Sequence, residues 1–501
     1  MASKPPTLSD KIQTKTIQMQ VKFLKRNRSV IFVAVLFIAV SFFFRGDSVN
    51  VLAQSGNESV LVRTREADRK GRTNDGKLET LTPTEHLRRA AIYMSNRAFA
   101  EAREHYQAIF DRYPNDAAVG PALFFTGRSY FQSHRYQEAL PYYERVSREF
   151  KDTIDGREGL SQWGTALLRM GKFNEAVERY KEYVSLYPNG EKIEAVHLNI
   201  IDTLREGGRL KDAIAWIEIA RQKFPNTATA TNAVFARLRL DITQKDWTQA
   251  VKTAEQLRTM PMPAKTMTDR KEIDFLRGYA LEKSGRKTEA IEVYFSIPDG
   301  LGTYHGGLAT ERLLAIVDET RLPQVAERIN RVKTEALRSI GQYPAPYRDE
   351  LLRATTKRKI DPRLVLSLMK QESSFRAHVK SPAAARGLLQ LTIDTASKYS
   401  AQAGYKNLRD DDLYRPETSI TIGSEYIAAL QKLFPNTPEA VAASYNGGED
   451  NAARWLKRAK SDEPFIFTAE VGFDETKDYV FKVMSNYRAY RLLYSADLKR
   501  I

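Results

Sequence analysis

The chain is predicted to be all-α: a superhelical α-solenoid of helix-pair repeats followed by a second helical domain, with a signal or anchor segment at its N-terminus. Three observations predict this. Ala102, Ala139, Ala176, Ala213 and Ala250 recur every 37 residues, the mark of stacked supersecondary units. Well beyond the last repeat, Asp361-Pro362 opens a strongly patterned helix, Asp361 as N-cap and Pro362 in the first turn, where its N–H would be unpaired anyway. At 501 residues the chain exceeds one compact core, and 42% hydrophobic with 28% charged residues is ordinary for soluble globular domains.

In chain order, Lys22, Lys25, Arg26 and Arg28 precede an apolar run over 29–44. That run is short for a spanning helix but suits the apolar core of a signal peptide or a short anchor. Residues 1–53 are therefore expected to direct export, and the basic flank to leave the bulk of the chain outside the cytoplasm, with inner-membrane association if the segment is retained. Val51-Leu52-Ala53 offers a small-residue cleavage site, while Arg45, Asp47 and the 28-residue stretch before the apolar run favour retention; both outcomes stay open. The absence of Cys excludes lipoprotein attachment and disulfides. Residues 54–82, rich in Arg, Asp, Gly, Thr and Ser, read as a flexible tether able to span on the order of 30 Å.

Residues 83–342 carry the repeats. Phe99, Tyr136 and Phe173 follow the same 37-residue spacing as the alanines, as do Tyr106, Tyr143 and Tyr180. Tyr113-Pro114, Tyr187-Pro188 and Phe224-Pro225 end units at that period or twice it, with Pro261 and Pro298 continuing the series. Each unit reads as two helices closed by an aromatic-Pro break, since proline cannot continue a helix. Small alanines allow close helix packing and the aromatics fill the space between units. The pattern resembles tetratricopeptide repeats, which makes the concave face a candidate surface for peptides.

Residues 343–501 carry the candidate chemistry. Leu364, Val365, Leu368 and Met369 form one apolar stripe, and Glu372, three and four residues past its end, continues the same face. Apolar neighbours raise a carboxyl pKa, and a carboxyl that keeps its proton near neutral pH can serve as general acid. The same placement also fits a Glu paired with an Arg or a backbone N–H at a helix end. Ser381, before Pro382, reads either as a ligand-facing hydroxyl or as an N-cap, and Gly387 as a point of close approach. Tyr445-Asn446 follows a helical apolar pattern into Gly447-Gly448, which should end the helix. Trp455, Tyr479, Tyr487 and Tyr490 read as core residues rather than ligand platforms.

Taken in order, Glu372-Ser373, Ala385-Arg-Gly-Leu-Leu-Gln390, Ala443-Ser-Tyr-Asn-Gly-Gly448 and Glu475-Thr-Lys-Asp-Tyr-Val480 resemble the catalytic domain of the soluble lytic murein transglycosylases over residues 343–494. The resemblance implies a lysozyme-like α-helical domain that cleaves the β-1,4 MurNAc–GlcNAc bond of peptidoglycan and leaves 1,6-anhydro-MurNAc. It implies a repeat array that shapes a ring or crescent around the glycan, and no cofactor. Glu372 would protonate the leaving oxygen and then, as carboxylate, take the proton of the sugar's own C6 hydroxyl. Ser381, Gln390, Tyr445, Asn446, Glu475 and Tyr479 are the implied substrate-binding residues. In agreement with a one-carboxylate scheme, no second Asp or Glu occurs between Ser373 and Ile393.

The chain departs from the family pattern at Leu389, where a methionine thioether would face the substrate, and at Ile393, Ser419 and Gly472. Net charge is +16, but no nucleic-acid-binding motif accompanies it, so anionic wall polymers or a membrane surface are the expected partners. His86, His105, His134, His197, His305 and His378 show no ligand spacing, and no metal is expected. Two other readings stand beside transglycosylation: a muramidase- or chitinase-like hydrolase on the same scaffold, and a binding scaffold with a degenerate catalytic domain.

Overall fold

The computed structural model describes residues 50–501, with side chains from residue 60 onward. The apolar run over 29–44 lies outside the described residues, and among those described no helix is long and apolar enough to cross a membrane. Residues 58–501 form one compact unit, which holds both the repeats and the candidate site.

Seven helix pairs fill residues 83–338: α2 (Pro83–Ser95) with α3 (Phe99–Arg112), α4 (Val119–Gln132) with α5 (Tyr136–Glu149), α6 (Ile154–Arg169) with α7 (Phe173–Leu186), α8 (Ile193–Glu206) with α9 (Leu210–Lys223), α10 (Ala228–Thr243) with α11 (Trp247–Thr259), α12 (Arg270–Lys283) with α13 (Lys287–Ser296), and α14 (Tyr304–Ile316) with α15 (Leu322–Arg338). They are preceded by α1 (Asn50–Lys70). The repeated residues do what their spacing predicts. Ala102, Ala139, Ala176, Ala213 and Ala250 are completely buried at helix crossings, and Tyr106, Tyr143 and Tyr180 lie in the cores between units. A Cβ on Gly164 of α6 would come within 2.7 Å of the Tyr180 ring, so the close fit of tyrosine against backbone requires glycine there. Tyr113, Tyr187 and Phe224 are the C-cap residues of α3, α7 and α9.

The stretch over 54–82, expected to be a flexible tether, is instead helical to Lys70 and then pinned. Leu61, Thr64 and Asp68 recur at helical spacing and are buried against the first repeat. Asp68 accepts hydrogen bonds from Tyr93, from Arg89 and from His105, whose other ring nitrogen lies 2.9 Å from His86. Arg112 then holds the carbonyls of Leu78 and Glu79 at 2.6 and 2.7 Å. Composition alone suggests solvation; the buried partners of these polar residues come from elsewhere in the chain.

The remaining helices are α16 (Arg348–Thr356), α17 (Pro362–Ser373), α18 (Ile393–Ser400), α19 (Pro416–Leu433), α20 (Pro438–Gly447), α21 (Glu449–Ala459), α22 (Pro464–Glu470) and α23 (Asp474–Leu493). No strand occurs among the described residues, only isolated bridges such as Lys380 with Arg386 and Arg386 with Leu391. This domain is bonded to the array from its first pair to its last, where the Tyr304 hydroxyl donates to Glu439 at 3.2 Å. Arg97 binds Asp394 at 2.9 Å, Tyr136 binds Asp450 at 3.0 Å, Arg454 binds Glu206 at 2.7 Å, and Arg488 binds Asp299 at 2.6 Å. At the centre of the contact Glu470, with 0% exposure, sits between Arg205, Arg239 and Arg458.

Candidate active site

The site begins with α17. The Asp361 carboxylate accepts the Arg363 N–H at 2.9 Å and opens the helix, held in turn by the Tyr487 hydroxyl at 2.9 Å. Leu364, Val365, Leu368 and Met369 are buried, and Glu372 follows on their face. The helix then stops abruptly: Ser374 and Phe375 both have left-handed backbone, with φ of 49° and 64°. Side-chain oxygens at such stops compete with the backbone for hydrogen bonds. Here Ser373 uses its hydroxyl to reach the Leu388 carbonyl at 2.8 Å, tying the turn that carries Glu372 to the loop over 379–391.

That loop is built around Gly387, whose φ is 78° and whose Cβ, if it had one, would lie 2.0 Å from the Leu413 carbonyl oxygen. Gln390 donates its side-chain N–H to the carbonyls of Val379 and Gly387, both at 2.9 Å, which leaves its amide oxygen free of the loop's internal bonds. Ser381 accepts the Ala385 N–H at 3.1 Å; it caps a turn of the loop and no helix follows it, so the N-cap alternative does not hold. Leu389, expected to lie against the substrate, is fully buried against Gly423 of α19. Its backbone is pinned on both sides: Ser419 accepts its N–H at 3.3 Å, and Tyr445 donates its hydroxyl to its carbonyl at 2.6 Å. Ser419, a departure from the family pattern, thus holds the loop in place.

Tyr445 and Asn446 stand at the end of α20, capped by Gly448. The Tyr445 ring packs on Tyr426 with centroids 5.3 Å apart, and Asn446 is exposed while its side-chain amide oxygen, Oδ1, accepts the Thr476 hydroxyl at 2.6 Å. Thr476 belongs to the first turn of α23, which also carries Glu475 and leads into Tyr479. Tyr479 is 6% exposed, as a core residue should be, yet its hydroxyl donates to Glu372 Oε1 at 2.6 Å. The contact spans 107 positions, and no local pattern announces it.

Desolvation pushes the Glu372 carboxyl up to about 7; the Tyr479 hydrogen bond opposes this, and the negative charge of Glu475 adds to it. Glu475 is exposed and lies near enough for its charge to act on Glu372. It is a second carboxylate that no inspection of the residues adjoining Glu372 in the sequence could find. Burial and the neighbouring Glu372 raise Tyr445 and Tyr479 well above the ordinary tyrosine value, so both hydroxyls remain donors. The arrangement therefore holds one carboxyl poised between its protonated and ionised forms at neutral pH, with a phenol fixed on it. Among the described residues no cluster of metal-ligating side chains is formed.

Residues 350–467 match the family model of the transglycosylase SLT domain, and residues 87–152 and 161–228 match that of the tetratricopeptide repeat. Fold and site thus define a tetratricopeptide-repeat array joined to an SLT domain. The chain is homologous to the soluble lytic murein transglycosylase of Escherichia coli K12, at 31% identity over 160 residues, covering 31% of this chain and 24% of that protein. Membrane-bound lytic murein transglycosylase C of Edwardsiella ictaluri is 28% identical over 166 residues, covering 29% of this chain and 46% of the relative. The alignment thus spans about a quarter of the length of the Escherichia coli relative. Among solved structures, an inactive mutant of the lytic transglycosylase Slt from Pseudomonas aeruginosa gives a TM-score of 0.49 at 19% identity, covering 82% of this chain and 73% of that one.

Proposed function

We propose that this chain is a lytic transglycosylase of peptidoglycan that cleaves the β-1,4 MurNAc–GlcNAc bond and forms 1,6-anhydro-MurNAc. The observation that carries the reading is the Glu372 carboxyl, held by Tyr479 and shifted to about 7. Near that pH the group is present in both forms, which suits one residue acting first as acid and then as base. Protonated Glu372 gives its proton to the glycosidic oxygen as the C1–O bond breaks. The resulting carboxylate, stabilised by the Tyr479 hydroxyl, accepts the proton of the C6 hydroxyl as that oxygen closes on C1. Proton and bond counts balance with no water consumed. Ser381, Gln390, Tyr445, Asn446, Glu475 and Tyr479 line or brace the site in this reading, with the Gln390 amide oxygen and Asn446 amide nitrogen offered to hydroxyl and acetamido groups.

The nearness of Glu475 favours one second reading, a muramidase-type hydrolase in which this carboxylate orients a water. Export to the periplasm, through the segment over 1–53 either cleaved or kept as an inner-membrane anchor, and recruitment of cell-wall enzymes by the repeats belong to the same proposal. Mass spectrometry of peptidoglycan digested with the full-length chain and with Glu372→Gln tests the chemistry. Anhydro-muropeptides from the first and none from the second are expected. Reducing ends would establish hydrolysis, and no product from either protein would leave a scaffold.

A further inference from the structure

We propose that Lys477 is a positioning residue: its ion pair with Glu272 of the repeat array sets the start of α23, and through Tyr479 on that segment the carboxyl of Glu372. The kinetic arm of this inference rests on the activity proposed above; the structural arm does not.

Lys477 is 3% exposed, which is costly for an ammonium unless it is fully partnered. Its Nζ donates to Glu272 Oε2 at 2.7 Å and to the Met267 carbonyl at 2.8 Å, and lies 4.5 Å from the centroid of the Phe235 ring. Glu272 is itself 1% exposed, in the first turn of α12. An apolar side chain at 477 could have packed on Phe235 equally well. The lysine adds direction, because two hydrogen bonds fix where its stem leaves the helix.

The same stretch of α23 carries Glu475 and Tyr479, one on either side of Lys477 in sequence, and these two groups tune Glu372. From the SLT-domain side it is held by Thr476 on Asn446. From the array side it is held by Lys477 and by Phe481, which stacks on Tyr304 with centroids 5.0 Å apart. The titratable and charged groups facing Lys477 are Glu272, Asp269 and Arg239, with His305 also within its field; those facing Glu372 are Tyr479, Glu475 and Tyr445. The array is thus part of the geometry of the acid.

The test is a carboxyl-carbon NMR titration of the full-length chain, with the Glu372 signal assigned by its loss in Glu372→Gln. The main variant is Lys477→Met with Glu272→Gln, which leaves neither charge buried alone. Lys477→Arg keeps the pair, and Arg97→Met with Asp394→Asn removes a different pair between the array and the SLT domain. The Glu372 midpoint is expected to rise in the main variant, because the Tyr479 hydrogen bond favours the carboxylate, and to stay at the wild-type value in the other two. With soluble glycan strands, kcat should fall by roughly tenfold or more while KM stays within about twofold. A wild-type midpoint in the main variant overturns the inference. Should that variant fail to fold by circular dichroism, Lys477→Gln with Glu272→Gln, which also leaves neither charge buried alone and keeps polar groups at both positions, carries the test, with a smaller rise expected and no rise overturning it. An inactive wild type would sink the proposed activity while the titration still decides the role of Lys477.

Discussion

At the scale of single residues, Glu372 puts its proposed function and the stability of the fold in opposition. Its folded value of about 7 lies above the ordinary 4.5, so the stabilisation it provides when protonated is complete below about pH 4.5 and is lost as pH rises through 7. The ionised form then costs the fold up to about 3 kcal/mol, since each tenfold change in proton affinity is worth about 1.4 kcal/mol. Glu372→Gln keeps the shape and removes the charge, so it should be more stable than the wild type by about 1–3 kcal/mol at pH 8 and equal to it at pH 4. Urea denaturation at the two pH values measures this, and equal stability at pH 8 would mean that the carboxyl is not desolvated. The position of Glu372 on the buried face was legible because helical periodicity is local. Its hydrogen bond to Tyr479 was not: the pattern that marked Tyr479 as core says nothing about where its hydroxyl points.

At the scale of elements, the loop over 379–391 shows how little of a site a motif describes. The Gly387-Leu-Leu-Gln390 string was readable, but Leu389 turned out to face the core, and the loop is held by Ser373, Ser419 and Tyr445 from three different helices. Gly387→Ala tests this brace. A methyl group 2.0 Å from the Leu413 oxygen, at a φ of 78°, must displace the loop. The expected loss is at least about 2 kcal/mol in thermal or chemical unfolding, with a fall in the rate of glycan cleavage. Full activity and stability in this variant would show that the loop gives way without consequence. Over 54–82 the expectation failed for the opposite reason. Residues judged solvated by composition find buried partners in α2 and α3, and composition carries no information about partners distant in the chain.

For residues 58–501 as a whole, the repeat array and the SLT domain meet through buried charges. Glu470 is held far below the ordinary carboxyl value by Arg205, Arg239 and Arg458, against the opposing effect of its own burial. Its stabilisation is therefore present above about pH 4.5 and is lost as pH falls. Glu470→Gln removes the buried anion shared by three guanidinium groups, which keep only Asp202 and, at Arg458, Glu206, and should cost about 3–5 kcal/mol at neutral pH. The difference from wild type should narrow as pH drops below about 4 and change little with added salt, because the pair is sealed from solvent. By contrast, removing the exposed pair of Arg97 with Asp394 should cost under about 1 kcal/mol and respond to salt. Denaturation of both variants at low and high salt distinguishes the two cases; a salt-sensitive Glu470 variant would mean that the contact is open to water.

The sequence by itself determined the helix pairs of the array and the helix that carries Glu372, though not α1, because periods of 3.6 and 37 residues, N-caps and aromatic-Pro breaks act within one turn or one repeat. It also singled out the carboxyl proposed to carry the chemistry, since Glu372 lies on an apolar stripe inside a spaced set of motifs. The tertiary structure alone decided what acts on that carboxyl. Tyr479, Glu475 and, behind them, Lys477 with Glu272 come from segments roughly 100 residues or more away from Glu372 or from each other. Desolvation, hydrogen-bond direction and the pairing of buried charges depend on distances in space, which the linear pattern does not contain.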